Sequence, residues 1–213
     1  MKNRKTSELQ TILSVLFVTF LLLSNIIAAK QFQLPFGITM SGGAFLTFPV
    51  TYILSDLFSE VYGYRWSRLT CYLAFAMNLL MACIFAIAIN LPAPAYYTGQ
   101  GAFAATLGNT PRILAASLIS YVLGDLANDK IFRYMKGNNR TQSGFCARAW
   151  LSSLAGEAID SLVFVPAAFA GAIPTRDMLI MAVSQIAVKM LYETLVLPLT
   201  TVITKKVAAY ESQ

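Results

Sequence analysis

The sequence predicts an all-α membrane protein with six transmembrane helices and both termini in the cytoplasm. The composition, the spacing of long apolar segments and the distribution of Lys and Arg lead to this prediction. Of the 213 residues, 57% are hydrophobic and 12% are charged, whereas soluble proteins contain about 25% charged residues. This small number of charged residues cannot cover a surface that faces water, and we therefore expect a lipid bilayer around the protein. We expect a single integral membrane domain over residues 1–213.

Six segments have the length and apolar character needed to cross the hydrocarbon core, which takes about 20 helical residues. The first follows a basic N-terminus, as in a signal peptide, but it exceeds the usual signal-peptide apolar length, so an uncleaved helix is favoured. Gly and Pro concentrate between the segments, which is typical of turns. We expect the Gly-rich, aromatic loop 92–110 to re-enter the membrane or to lie over a cavity mouth. The predicted helices span residues 9–29, 44–62, 69–91, 112–132, 147–169 and 178–204.

The basic residues set the predicted orientation. With the N-terminus inside, 12 of the 16 Lys and Arg residues fall on the cytoplasmic side and 3 on the outside, and Lys189 remains within a helix. Such an excess is typical of cytoplasmic loops. It accounts for the net charge of +6 without a nucleic-acid partner, and we predict none.

Two residue types limit the possible chemistry. The chain has no histidine, which excludes an imidazole-based triad, a histidine metal site and an imidazole proton relay. The spacing of Cys71, Cys83 and Cys146 matches no zinc or redox pattern, so we expect them to behave as small apolar residues. We therefore predict no metal and no cofactor.

Ionisable residues inside four of the six predicted helices are the main indication of function. Each such group costs about 2.5–3.5 kcal/mol near the bilayer centre. They occur at spacings of three or four, so each pair shares one helix face, and those faces must meet one another or water. The pairs are Asp56 with Glu60, Asp125 with Asp129, Glu157 with Asp160, and Lys189 with Glu193.

Glu157, Asp160 and Lys189 are expected nearest the bilayer midplane. Lys189 could form a buried ion pair with one of the two acids and so tie the fifth helix to the sixth. The other carboxylate would then need a proton, a cation or a ligand with N–H donors. This surplus acid points to a binding site in the membrane interior.

Several segments resemble the queuosine precursor transporter family, within the wider vitamin uptake transporter group, over about residues 20–204. The matching segments read SNIIAAKQFQLPF, SGGAFLTFPVTYILSDLFSEVYGYRWSR, ISYVLGDLANDKIF, RAWLSSLAGEAIDSLVFVPAAF and QIAVKMLYETLVLPLT. The resemblance implies import of 7-cyano-7-deazaguanine and 7-aminomethyl-7-deazaguanine across a bacterial inner membrane. It also implies a six-helix fold similar to the substrate-binding subunits of energy-coupling-factor transporters, here working without a dedicated ATPase.

The polar residues suit such a substrate. One carboxylate, Glu157 or Asp160, can accept hydrogen bonds from the adjacent N1–H and 2-amino groups of a deazaguanine. The O6 acceptor requires a donor from Lys189, Asn25 or Gln185, and Phe48, Tyr52, Phe164 or Tyr192 could supply an apolar wall for the ring. The candidate binding residues are therefore Glu157, Asp160, Lys189, Asp56, Asn25, Asp125, Gln185, Tyr52, Glu193 and Phe164.

Alternatives remain open for the energy source of transport and for the class of protein. A carboxylate among the candidates could carry a coupling proton, and facilitated diffusion is equally open. A binding subunit that depends on separate ATPase partners would have a similar fold. An intramembrane aspartyl protease is disfavoured because the sequence before Asp125 reads VLGD rather than GxGD, and a purely structural protein would not need four pairs of ionisable residues. We predict a transporter and not an enzyme.

Overall fold

Long helices dominate the computed structural model, which describes residues 7–138 and 145–211. Helix α1 begins at a capping box, in which Ser7 Oγ accepts from the Gln10 backbone and the Gln10 side chain accepts from the Ser7 backbone, an arrangement that satisfies two otherwise unpaired N–H groups. The elements are α1 Glu8–Ile27, β1 Gln31–Gln33, a 3₁₀ turn Pro35–Gly37, β2 Thr39–Ser41, α2 Gly42–Leu46, α3 Phe48–Leu57, a π-helix Phe58–Tyr62, α4 Tyr64–Asn90, α5 Gln100–Leu107, α6 Thr110–Asn138, α7 Phe145–Phe169 and α8 Thr175–Glu211.

Four helical segments in the described part of the chain are long and apolar enough to cross a membrane. They are Glu8–Ile27, Tyr64–Asn90, Trp150–Phe169 and Thr175–Val196. They overlap the predicted first, third, fifth and sixth spans, and the protein is an all-α, multi-pass membrane protein. Six spans and cytoplasmic termini remain predictions.

The structure does not describe several of the side chains that enter the sequence predictions, some of which belong to described helices. They are Lys2, Arg4, Lys5, Phe48, Asp129, Arg133, Lys136, Arg140, Cys146 and Arg148.

The predicted helix 44–62 forms as three shorter pieces: α2, α3 and the π-helix. Ser41 Oγ accepts from the Ala44 backbone and begins α2, and a proline then occupies the first turn of α3, where its missing N–H is not needed. Gly42 lets α2 approach α1, since a Cβ there would lie 2.8 Å from the Ile27 carbonyl oxygen. Asp56 lies in α3, and Glu60 lies in the π turn that follows it.

The predicted fourth helix, 112–132, lies within the longer α6, and part of the loop 92–110 forms α5. A short two-stranded sheet, β1 with β2, fills the connection between α1 and α2. At its tip, Phe36 and Gly37 have φ angles of 67° and 76°. Gly37 adopts this conformation freely, whereas Phe36 does so against its steric preference. The sequence analysis missed these strands because three-residue strands leave no clear alternating pattern.

The described residues form two compact units. The first contains the chain up to Lys30, Ser41–Pro111 and the chain from Glu193. Its apolar core includes Phe17 and Phe58, whose rings meet edge to face with centroids 5.7 Å apart. In a bilayer such contacts stabilise helix association through van der Waals packing, because the lipid tails are as apolar as the side chains.

The second unit contains Gln31–Met40 and Arg112–Tyr192. Two glycines bring α6 and α7 into backbone contact, because a Cβ on Gly124 would lie 2.9 Å from the Gly156 carbonyl oxygen and one on Gly156 would lie 3.0 Å from that of Gly124. Arg112 donates to the carbonyl oxygens of Ala167 and Ala170 at 2.8 and 2.7 Å. It thereby satisfies acceptors that the end of α7 leaves unpaired.

Candidate functional site

A buried ionic cluster in the second unit joins α7 to α8. Lys189 Nζ lies 2.6 Å from Asp160 Oδ2 and 2.9 Å from Glu157 Oε2. The side chains of Lys189 and Glu157 are 5% and 9% exposed, and that of Asp160 is 23% exposed. The structure thus brings together the three residues that were expected nearest the midplane, and the lysine contacts both acids rather than one.

The positions of these residues in a helical hairpin explain the contact. Glu157 is the middle residue of α7, twelve residues before its end at Phe169, and Lys189 lies fourteen residues after the start of α8 at Thr175. A short connection that includes Gly171 at φ 83° separates the two helices. Two helices joined by a short loop run antiparallel, so residues at similar distances from the loop meet. Asp160 lies three residues after Glu157 and therefore shares its face.

Ser120 on α6 is a fourth member of the cluster, which the sequence analysis missed. Its hydroxyl donates a 2.7 Å hydrogen bond to Asp160 Oδ1, and the residue is 1% exposed. The close approach of Gly124 and Gly156 brings α6 within reach, and a Cβ on Gly124 would lie 3.2 Å from Asp160 Cβ. The Ser-x-x-x-Gly spacing in α6 is a small-residue pattern typical of close membrane-helix packing. This pattern is the feature of the sequence that could have pointed to Ser120.

The cluster fixes the orientation of the Asp160 carboxylate. One oxygen accepts from Ser120 and the other from Lys189. A carboxylate offers about four lone-pair sites, so each oxygen keeps capacity for a further donor. With two acids and one lysine ionised, the cluster carries one formal negative charge. It can therefore bind a group that presents N–H donors, which gain strength from the charge.

Two buried polar atoms near the cluster have no hydrogen-bond partner: Ser161 Oγ and Gln185 Nε2. Ser161 is fully buried and Gln185 is 1% exposed. Ser161 lies one turn beyond Glu157 on α7, and Gln185 lies one turn before Lys189 on α8. An unpaired buried polar group costs about 1–3 kcal/mol, and it needs a physical explanation.

The second unit also contains Asp125, Phe164 and Tyr192. Asp125 on α6 is half-buried. Phe164 on α7 is also half-buried, and its ring packs edge to face on Phe169 with a centroid distance of 5.9 Å. Tyr192 is 39% exposed. Phe164 is therefore held in an aromatic contact of its own, and a role as a wall for a ligand stays a prediction.

Asn25, Tyr52, Asp56 and Glu193 belong to the first unit. Asn25 Nδ2 donates to Asn78 Oδ1 at 2.6 Å and to the Leu21 carbonyl oxygen at 3.3 Å. Both N–H bonds of that amide are therefore used within the unit. Asp56 is exposed, whereas Tyr52 and Glu193 are half-buried.

Comparison with known proteins identifies a family. The family model described as "Putative vitamin uptake transporter" matches residues 42–203. This range includes the whole ionic cluster and most of the described helices. No curated protein and no solved structure matches the chain.

Proposed function

Because the chain belongs to the vitamin uptake transporter family, we propose that it imports the queuosine precursors 7-cyano-7-deazaguanine and 7-aminomethyl-7-deazaguanine. The observation that carries this proposal is the buried ionic cluster, in which two acids share one lysine. An ionisable residue inside a membrane helix costs free energy on insertion and usually marks a functional site. The segments that resemble queuosine precursor transporters supply the substrate class, and they contain every residue of this cluster.

Asp160 is the carboxylate best placed to accept the substrate. It is the more exposed of the two acids, at 23% against 9% for Glu157. Ser120 and Lys189 hold its oxygens from the protein side, which leaves one acceptor site on each oxygen. The N1–H and 2-amino donors of a deazaguanine lie side by side and match two such sites as a fork. Glu157 then serves chiefly to balance the charge of Lys189.

Transport would follow from alternating access to this cluster from the two sides of the membrane, as in other secondary transporters. In the bound state, the N–H donors of the substrate would pair with the surplus negative charge of the cluster. Release is then possible because the protein groups that hold Asp160 remain in place without the substrate. The resemblance to queuosine precursor transporters implies that neither step needs a dedicated ATPase.

The direct test is uptake of labelled 7-aminomethyl-7-deazaguanine into liposomes that contain only this protein, with 7-cyano-7-deazaguanine and adenine as competitors. We expect saturable uptake that the deazaguanine blocks and adenine does not. Tight binding in detergent without uptake would instead identify a binding subunit that needs separate ATPase partners. If the protein shows no binding and no uptake of these compounds, the proposed substrate is refuted. Repeating the uptake assay at clamped pH, with and without a proton gradient, distinguishes proton coupling from facilitated diffusion.

The Asp160→Asn variant tests the binding residue. An amide offers only one acceptor oxygen, and hydrogen bonds to charged groups contribute about 1.5–3 kcal/mol each, so we expect roughly 10- to 100-fold weaker uptake. Glu157 still balances Lys189, so the fold should persist. The matched control is Asp177→Asn, because Asp177 is an exposed acid in the first turn of α8. Equal losses in both variants, or none in Asp160→Asn, would remove Asp160 from the site.

A further inference from the structure

The structure distinguishes between the three donors that were expected for the O6 atom of a deazaguanine. Asn25 uses both of its amide N–H bonds, on Asn78 and on Leu21. Lys189 lies between two carboxylates at 2.6 and 2.9 Å. Gln185 Nε2 is buried and has no hydrogen-bond partner. Of these three, Gln185 is the one whose buried side-chain nitrogen has no hydrogen-bond partner.

The helical register places Gln185 beside the carboxylate that we assign to substrate binding. In the antiparallel hairpin, Lys189 on α8 pairs with Glu157 on α7. Moving four residues back along α8 and four forward along α7 places Gln185 level with Ser161 and its neighbour Asp160. Gln185 also shares a face of α8 with Lys189, since residues four apart lie one above the other.

We propose that the Gln185 amide, assisted by the Ser161 hydroxyl, binds the O6 carbonyl of the substrate and selects 6-oxo rings against 6-amino and 6-unsubstituted rings. This inference rests on the proposed function. A deazaguanine presents O6, N1–H and the 2-amino group in order along one edge. An amide donor and a carboxylate acceptor at one level of the hairpin match that order. A ligand carbonyl would also account for the two unpaired atoms, Gln185 Nε2 and Ser161 Oγ.

Selectivity follows from the cost of leaving such donors unpaired. A ring without O6 leaves Gln185 unpaired in the complex, and a 6-amino ring presents a donor to a donor. Sites built to hydrogen-bond a substrate group discriminate strongly against analogues that lack it. We expect the wild-type protein to prefer 7-deazaguanine over 2-amino-7-deazapurine, which lacks both O6 and the N1–H, by at least about tenfold.

The test measures the ratio of the dissociation constants for these two compounds, with purified protein in detergent and by competition for uptake. In Gln185→Met we expect the ratio to fall several-fold but to stay above one, because Met has a similar volume and no donor, whereas 2-amino-7-deazapurine also lacks the N1–H that Asp160 accepts. The control is Gln100→Met, since Gln100 Nε2 already donates to the Ile89 carbonyl oxygen at 2.8 Å. That variant should keep the wild-type ratio.

Thermal unfolding without ligand separates a binding role from a structural one. If Gln185 waits for a ligand, Gln185→Met removes an unpaired donor, and its melting temperature should equal or exceed that of the wild type. A lower melting temperature would show that the amide serves the fold and would overturn the inference. Ser161→Ala, a small change, should lower the preference by a few-fold, and an unchanged preference would contradict the role of Ser161.

The outcomes also distinguish this inference from the proposed function. If the wild-type protein binds neither compound, both fail. If it binds 7-deazaguanine and Gln185→Met retains the full preference for it, the transport proposal stands and the role of Gln185 is refuted.

Discussion

The two units of the molecule each contain a buried polar contact between helices, and the two contacts differ in how completely they are satisfied. In the first unit, Asn25 on α1 donates to Asn78 on α4 at 2.6 Å, and Asn78 in turn donates to the Ala74 carbonyl oxygen. In the second unit, Lys189 faces two acids, and Gln185 nearby lacks a partner. Burial of a polar residue in a membrane helix is therefore not sufficient to indicate a binding site.

The two contacts differ in the charge and the unpaired polar atoms that remain once their internal hydrogen bonds and ion pairs have formed. The amide pair is neutral and donates to acceptors inside its own unit. With all three groups ionised, the ionic cluster keeps one formal negative charge, and it adjoins two unpaired polar atoms. Hydrogen bonds between membrane helices contribute about 0.6 kcal/mol on average, whereas removing one partner of a buried ion pair costs about 3–5 kcal/mol. The first contact holds helices together, and the second is suited to receive a ligand.

Lys189→Met should give the largest effect, because it leaves the two neighbouring acids of α7 without a cation. We expect a loss of about 3–5 kcal/mol in the free energy of unfolding, together with loss of uptake. Chemical denaturation in detergent measures the first quantity and liposome uptake the second.

A triple variant separates the two losses. Adding Glu157→Gln and Asp160→Asn to Lys189→Met removes the uncompensated charges, so stability should return while uptake does not. Wild-type stability in Lys189→Met alone would show that the cluster is not ionised as a unit, and the contrast with the asparagine pair would disappear.

The sequence predicted the members of the ionic cluster better than their contacts. The spacing of Glu157 and Asp160 and the lengths of the flanking helices were enough to place three ionisable residues together. They could not show that Lys189 contacts both acids, because this depends on the exact register of α7 against α8. Ser120 was missed for the same reason, since its partner lies 40 residues away.

The first unit shows what the sequence could not predict. Asn25, a candidate for substrate binding, pairs with Asn78, 53 residues away, and no local pattern encodes that contact. The helix expected over 44–62 breaks into three because Gly42 allows close approach to α1 and Pro49 favours a new helix start. The long apolar run in that segment indicated burial correctly but could not show these interruptions.

Asn78→Leu should have an intermediate effect, on stability rather than on selectivity. It leaves the Asn25 amide without its partner, which costs about 1–3 kcal/mol for a buried polar group. We expect a lower melting temperature and an unchanged ratio of the dissociation constants for 7-deazaguanine and 2-amino-7-deazapurine. A changed ratio would mean that the asparagine pair takes part in binding, contrary to the comparison.

Ser120→Ala should give the smallest effect, confined to substrate affinity. Ser120 acts as a positioning residue, because its 2.7 Å hydrogen bond orients Asp160. Without this bond Asp160 keeps its contact with Lys189 but samples more orientations, so we expect roughly tenfold weaker affinity, which corresponds to about 1.4 kcal/mol. The maximal uptake rate should be nearly unchanged. The control on the same helix is Ser117→Ala, and Ser120→Thr should restore much of the affinity because it keeps the hydroxyl. A fall in the maximal rate at constant affinity would instead mean that the hydroxyl acts in a step after binding, and the assignment of Asp160 as the preoriented acceptor would fail.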